Sequence, residues 1–327
     1  MNEWLFDHLA CPRDKGKLEL RGDDLVCENG HAYPVVDEIP VMLVEEAEIT
    51  HGYISRTFEK IAAIKDGTVE IPAATSNGKA IDEYVQGEVP YTSGNLYFSI
   101  QHKLTRYPIP HTRLRPGNGE RLLDIGCNWG RWSIAAAKKG YKPIGIDPSL
   151  DAVMAARRVS KQLGADAHFV VGDARFLPFK DSAFDTVFSY GVFQHFSKEN
   201  AKISFDEIAR VCKADGVTLV QMPNKYGIRQ YQQHRRRGFT EGEGFEVRYW
   251  TPSELMKTFE DKFGPTEMTT DCYFGLGIQP SDADLLPIHY KAVIGSSEVL
   301  RKLSGVFTPL MKVADSVYLE SINKKEK

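Results

Sequence analysis

A doubly wound α/β fold, with helices on both faces of a mostly parallel sheet and a small β-rich module ahead of it, follows from three observations. Between residues 118 and 280, strand-length apolar runs alternate with helical stretches. Those runs are apolar at successive positions, as strands buried on both faces are. The first 45 residues differ in texture, with short apolar runs separated by turn residues.

Taken in order, residues 1–45 hold a Cys-Pro step at 11–12, a Gly-Asp-Asp turn at 22–24, an Asn-Gly at 29–30, then YPVV and IPVMLV. This is the β-rich module. Residues 46–117 mix ISRTFEKIAAIK and NLYFSIQHKL with Pro and Gly breaks and end in YPIPHTRLRPGNG, which reads as a helical connector or cap. From 118 the candidate strands are RLLDIG, KPIGID, AHFVVGD, FDTVFSY and GVTLVQMP, separated by helical RWSIAAAKKG, LDAVMAARRVSKQL and KISFDEIARVCK. An irregular charged insertion (224–250), the helix PSELMKTFEDKF and two β-like runs near 265–279 complete the domain at 280. In the tail, 281–327, Val299, Leu303, Val306, Leu310, Val313 and Val317 recur at four- and three-residue steps. That stripe predicts an amphipathic helix, broken near Thr308-Pro309, that acts as a packing seam or a homodimer contact.

Composition removes several classes. The 327 residues are 42% apolar and carry 41 basic against 44 acidic side chains, a net charge of −3, which disfavours a strongly basic nucleic-acid binder. Glu3 and Asp7 stand where a signal peptide needs basic residues. No apolar run nears the ~18 residues of a membrane span. The five cysteines (Cys11, Cys27, Cys127, Cys212, Cys272) are odd in number and scattered, as reduced thiols are. The expectation is a cytoplasmic protein without a transmembrane segment.

The chemistry concentrates at LLDIGCNWGRW, 122–132, a buried strand ending in Asp124 that opens through Gly126 and Gly130 into a helix. Such a turn lets backbone approach a ligand and offers free N–H groups. The second strand ends in Asp147, whose carboxylate suits ribose hydroxyls, and the third in Gly172-Asp173-Ala174. Three acids at three consecutive strand ends form a nucleoside-binding rim that repels pyrophosphate and welcomes a cation.

These residues resemble the class I S-adenosylmethionine-dependent methyltransferases of the small-molecule branch. LLDIGCNWG is similar to that family's first motif, and IGID, VGDARFLPF and FDTVFSYGVFQHF to the next three. The resemblance implies a seven-stranded Rossmann-like sheet and the donor S-adenosyl-L-methionine, with S-adenosyl-L-homocysteine as product. By it, Asp124 orients the methionine amino group, Gly126 and Gly130 shape the loop, Asp147 holds the ribose, and Asp173 with Ala174 holds the adenine. The family's middle glycine is Asn128 here, a residue that tolerates left-handed backbone. Tyr190 and Gln194 line the pocket, and His195 is the candidate general base. The place after the fourth strand reads Ser189-Tyr190-Gly191-Val192. It has neither the Asn/Asp-Pro-Pro-Tyr/Phe loop of amino-methylating DNA enzymes nor the Pro-Cys nucleophile of cytosine C5 methylation. In the insertion, Arg229, Arg235, Arg236 and Arg237, with Tyr249 and Trp250, are candidate contacts for an anionic acceptor. A solvated basic loop is the plainer alternative.

Residues 5–45 resemble the small zinc-ribbon-like activator subunit of tRNA and translation-factor methyltransferases and its free-standing bacterial relatives. The matching elements are Leu9-Ala10-Cys11-Pro12, Asp14-Lys15-Gly16, Leu25-Val26-Cys27 and the block from Ala32 to Leu43, with Glu38 in place of a usual Gly. Cys11, Asp14, Cys27 and His31 also have the spacing of a four-ligand structural zinc site; a metal-free fold with buried Cys11 and Cys27 is the alternative. The combined expectation is a methyltransferase acting on an O or N atom of a small or medium-sized, anionic acceptor such as a glycan, lipid-linked sugar or metabolite. The rivals are an RNA or protein methyltransferase with a fused activator and a non-catalytic donor-binding protein.

Overall fold

The computed structural model describes residues 2–71, 80–277 and 279–324; residues 72–79 of the expected cap and 325–327 of the expected tail lie outside it. In the leading module a one-turn helix α1 (Glu3–Phe6) precedes four antiparallel strands, β1 (Leu18–Arg21), β2 (Asp24–Cys27), β3 (Ala32–Val36) and β4 (Ile39–Pro40), paired in sequence order. The tight β3–β4 turn puts Asp37 and Glu38 at φ 47° and 62°, the left-handed pair that a two-residue hairpin requires. Glu38 thus adopts the backbone for which glycine is usual. Arg157 forms ion pairs with both acids.

The module is built into the larger domain. The Met42 N–H donates to the Val171 carbonyl at 2.7 Å and the Ala10 N–H to that of Pro178 at 3.0 Å. Leu9, Leu25 and Met42 share one apolar core with Val170 and Phe179. Next come α2 (Gly52–Lys65) and α3 (Glu83–Ser93). The helix α2 starts where the His51 ring accepts from the Tyr53 N–H.

The main sheet has β5 (Arg121–Ile125), β6 (Lys142–Asp147), β7 (His168–Val171), β8 (Phe184–Tyr190), β9 (Cys212–Pro223), β10 (Thr266–Cys272) and β11 (Ser316–Ile322), in the order β10-β11-β9-β8-β5-β6-β7. Strands β5 to β9 run parallel, and β11 lies antiparallel between β9 and β10. Helices α4 (Arg131–Lys138), α5 (Leu150–Gln162), α6 (Lys198–Val211), α7 (Ile228–Arg236), α8 (Pro252–Phe263) and α9 (Ile288–Ser304) connect and cover them. The order reverses beside β5, so the ends of β5 and β8 open a crevice.

Two expectations need correction. The insertion 224–250 is not irregular, because Asp315 caps α7 within it, its Oδ1 accepting from the Arg229 and Gln230 N–H groups at 2.6 and 3.0 Å. Nor does the tail 281–327 stay helical: α9 ends at Ser304, and SVYLESI forms β11, with Val317, Tyr318 and Leu319 buried on both sheet faces. The domain that was expected to end at 280 takes an interior strand, second from the sheet edge, from residues 316–322. Of the predicted seam, Val299 and Leu303 on α9 and Val306 and Val313 after it are exposed, whereas Val317 is buried in β11.

Candidate active site

After β5 the chain turns through Gly126 (φ 71°), Asn128 (φ 44°) and Gly130 (φ 82°) into α4. A Cβ on Gly126 would stand 2.2 Å from Val192 Cγ2, so only glycine lets the loop approach the end of β8. Asn128 takes the left-handed conformation, and its Oδ1 accepts from the Trp129 N–H at 2.8 Å.

The three acids stand at adjacent strand ends, in unlike environments. Asp124, 1% exposed, accepts from Ser133 Oγ at 2.6 Å, and burial pushes its carboxyl up to about 7. Asp147 accepts from the Asn128 and Ser149 N–H groups, each at 3.0 Å, and burial raises it to about 6. Among the described residues neither has a basic partner within ion-pair distance. Asp173 does: Arg175 grips it, Nη2 at 2.7 Å from Oδ2 and Nε at 3.1 Å. The rim therefore carries two uncompensated acids and one neutralised one. Arg175 went unnoticed in the sequence, although its place two residues after Asp173 could have suggested a local pair.

Gly126, Asn128, Asp147, Asp173, Ala174, Tyr190 and His195 line one cleft. Asp124 and Gly130 lie beneath it, Gly130 packed so that a Cβ would meet Ala156 and the Phe169 ring at 3.1 Å. The opposite wall is His51 and Tyr53 at the start of α2, Tyr91 and Thr92 in α3, and Phe245, an aromatic of the insertion expected at the acceptor side. The aromatic content of HGYIS was the sequence clue to His51 and Tyr53.

Both ring nitrogens of His195 are engaged. Its Nδ1 lies 2.7 Å from the Phe245 carbonyl, which only an N–H can satisfy, so Nε2 carries the lone pair and accepts from Gln194 Nε2 at 3.0 Å. Burial lowers its pKa to about 4. Tyr190 is likewise committed: its hydroxyl donates to Asp271 Oδ2 at 2.8 Å and accepts from Gln279 Nε2 at 3.0 Å.

The candidate acceptor residues scatter. Arg229, Arg235 and Arg236 are exposed on α7 and do not line the cleft. Arg237 turns inward to the carbonyls of Thr240 and Val247. Tyr249 is buried with its hydroxyl on Gln230 Oε1, and Trp250 is core. Helix formation in 228–236 turns the arginines to solvent, while the apolar bodies of Tyr249 and Trp250 are drawn under α7 and α6. Beside the cleft, the Oε1 atoms of Gln194 and Gln221 are buried without a hydrogen-bond partner. Both side chains flank Gly191, where a Cβ would stand 3.8 Å from Gln194 Nε2 and 3.9 Å from Gln221 Oε1.

In the leading module, ligand atoms of Cys11, Asp14, Cys27 and His31 converge within 4.8 Å of one another. His31 Nδ1 is 3.4 and 3.3 Å from the two sulfurs and 3.2 Å from Asp14 Oδ2. A tetrahedral zinc with bonds of ~2.0–2.3 Å has ligand–ligand edges of about 3.3–3.8 Å, close to the three edges at His31, and two thiols, an imidazole and a carboxylate are donors that zinc takes.

Residues 122–216 match the family model described as a methyltransferase domain. A UPF0434 protein of Vesicomyosocius okutanii is 48% identical over 48 residues, 14% of this chain and 81% of that protein. A tRNA U34 carboxymethyltransferase of Pseudomonas paraeruginosa is 30% identical over 217 residues, 58% of this chain and 62% of that protein. A solved SAM-dependent methyltransferase from Methanosarcina mazei, 19% identical, superposes with a TM-score of 0.47 over 68% of this chain and all of that one. The chain spans between 28% and 40% of the length of the first curated relatives it matches.

Proposed function

We propose that this chain, which belongs over a 48-residue stretch to the UPF0434 family and carries a class I S-adenosylmethionine-dependent methyltransferase domain, methylates an oxygen or nitrogen of a small or medium-sized acceptor. The observation that carries the reading is the pair of buried carboxylates without basic partners, Asp124 and Asp147, beside the left-handed loop 126–130. Buried acids with raised pKa call for a cation and for hydroxyl donors. The donor S-adenosyl-L-methionine supplies both, together with a methyl group on a cationic sulfur that becomes a neutral thioether.

Within this reading, Asp124 accepts from the donor's ammonium group, Asp147 from the ribose, and Ala174 with the Arg175-bound Asp173 borders the adenine. Gly126 and Gly130 keep the loop backbone close, and the aromatic wall of Tyr53, Tyr91 and Phe245 excludes water. His195 positions Phe245 rather than taking a proton. Without a strong base at the transfer point, the acceptor atom is best an amine or an acidic hydroxyl. The exposed arginines lie outside the cleft, so the acceptor's anionic part is met away from the methylated atom, which suits a lipid-linked sugar or glycan. Cys11, Asp14, Cys27 and His31 hold a structural zinc.

Donor binding by calorimetry, and turnover to S-adenosyl-L-homocysteine with a cell-metabolite and glycolipid extract, test the reading. Both should disappear in Asp124→Ala, and a wild-type chain that binds no donor overturns it. A second reading, an RNA acceptor, draws on the tRNA enzyme among the relatives; binding of mixed tRNA at low salt that falls steeply with added salt would favour it.

A further inference from the structure

Two segments that touch each other, the α9 region and α7, each present several exposed apolar side chains. On α9 and the turn after it, Val299, Leu303, Val306 and Phe307 face solvent, Val306 at 90% and Phe307 at 59% exposure. On and beside α7, Tyr226, Ile228 and Tyr231 are also exposed. The two segments are tied together. Asn224 Nδ2 donates to the Lys312 and Ala314 carbonyls, both at 2.9 Å, and Asp315 caps α7. Tyr273 pins the turn by donating to the Leu310 carbonyl at 3.0 Å.

Charge distinguishes these segments from the rest. On and beside α7, Lys225, Arg229, Arg235 and Arg236 carry positive charge toward solvent, while Arg237 turns inward and pairs with Glu246. Residues 288–313 hold Lys291, Arg301, Lys302 and Lys312 against Glu298, a charge of +3, in a chain whose total is −3. Exposed aliphatic and aromatic side chains interspersed with Lys and Arg are what an interfacial segment needs at an anionic bilayer. RNA would use the arginines and tyrosines but gives no return for exposing Val299, Leu303 and Val306. A second copy of the chain would bring the same positive charge against itself.

We propose that α7 and the α9 turn together form a docking surface for an anionic lipid bilayer. The inference deepens the function proposed above by making a membrane lipid the carrier of the acceptor. The apolar side chains enter the acyl boundary and the basic ones meet headgroup phosphates, which brings a lipid-linked acceptor to the cleft without a membrane-spanning helix; no helix among the described residues is long and apolar enough to be one.

Flotation of the full chain with phosphatidylglycerol/phosphatidylcholine vesicles and with phosphatidylcholine vesicles tests this, with light scattering for oligomeric state and donor calorimetry alongside. Binding should be at least about tenfold stronger to the anionic vesicles and weaken with salt. Val306→Asp with Phe307→Asp, and separately Arg235→Glu with Arg236→Glu, should each lower it about tenfold or more while thermal unfolding and donor affinity stay unchanged. No wild-type binding to anionic vesicles, or full binding by both variants, overturns the proposal. A wild-type dimer that Val306→Asp with Phe307→Asp turns into a monomer, or arginine variants that lose tRNA but keep vesicles, overturns it too. Because donor binding is read separately, a failed membrane result leaves the methyl-transfer reading standing, and the reverse.

Discussion

The imidazole of His195 lies flat on the ring of Phe245, with 3.8 Å between centroids and 3° between planes, while its Nδ1–H donates to the Phe245 carbonyl at 2.7 Å. Arg248, three residues on, donates to the His195 carbonyl at 2.6 Å. The segment after α7 is thereby latched to the end of β8, and Phe245 becomes part of the cleft wall beside His51 and Tyr53.

A positioning role for His195 has a measurable consequence. His195→Gln should lower kcat by less than about tenfold and leave the pH profile unchanged in shape, because the imidazole, with a pKa near 4, is already neutral at working pH. A loss of about 10²–10⁴-fold, with a limb of the profile removed, would return His195 to the role of general base.

Asp124 and Asp147 predict proton release on donor binding. Their folded-state pKa values, about 7 and about 6, lie above the unfolded value of roughly 4. The unliganded fold therefore keeps their protons longer than the unfolded chain does, and the stability this contributes is present below about pH 4 and lost as pH rises through 6 and 7. A cationic donor favours the ionised forms, so donor affinity rises over the same window. Calorimetry in Bis-Tris and in phosphate should give different binding heats at about pH 6, whereas Tris and Bicine should give the same heat at about pH 8.5. Heats independent of buffer at the lower pH would mean that both acids are ionised before the donor arrives.

Strand β11 makes the carboxyl-terminal residues indispensable to the fold. It pairs with β9 from Ser316 to Ile322 and with β10 along its other edge, so without it two strands lose their common neighbour. A chain ending at residue 304 should be insoluble, and Leu319→Ala, at a fully buried position, should cost about 2–5 kcal/mol in urea unfolding. A cost below about 1 kcal/mol would mean that the packing around β11 closes over the lost side chain.

The acidic rim and glycine turn of the cleft were legible in the sequence because their parts are local. An apolar run, a terminal acid and a glycine turn appear within ten residues at Asp124, and Asp147 and Asp173 repeat the strand-then-acid pattern. What escaped depends on partners far along the chain. SVYLESI looks like a continuation of a helical stripe until β9, about 100 residues earlier, supplies its register. Arg229, Arg235 and Arg236 look like ligands until α7 forms and turns them outward. His51 and Tyr53 carry no motif and reach the cleft only because α2 packs on α5. Asp173 reads as a free anion until Arg175 folds back onto it.

The leading module gives the last test. Four donor atoms from two turns meet at His31 Nδ1, and Asp14 is held in place by second partners: Asn29 Nδ2 donates to its Oδ2 at 2.7 Å and the Gly16 N–H to its Oδ1 at 2.9 Å. Such outer bonds orient a ligand and keep it ionised for a metal. Protein purified without chelator should contain about one equivalent of zinc, and stripping it should lower stability by roughly 2 kcal/mol or more. Cys27→Ser should abolish binding, whereas Asn29→Ala, which leaves all four ligands, should weaken zinc affinity about 10–100-fold. Less than about a tenth of an equivalent in the wild type, by elemental analysis, would instead assign Cys11 and Cys27 to the apolar core that their burial already makes them part of.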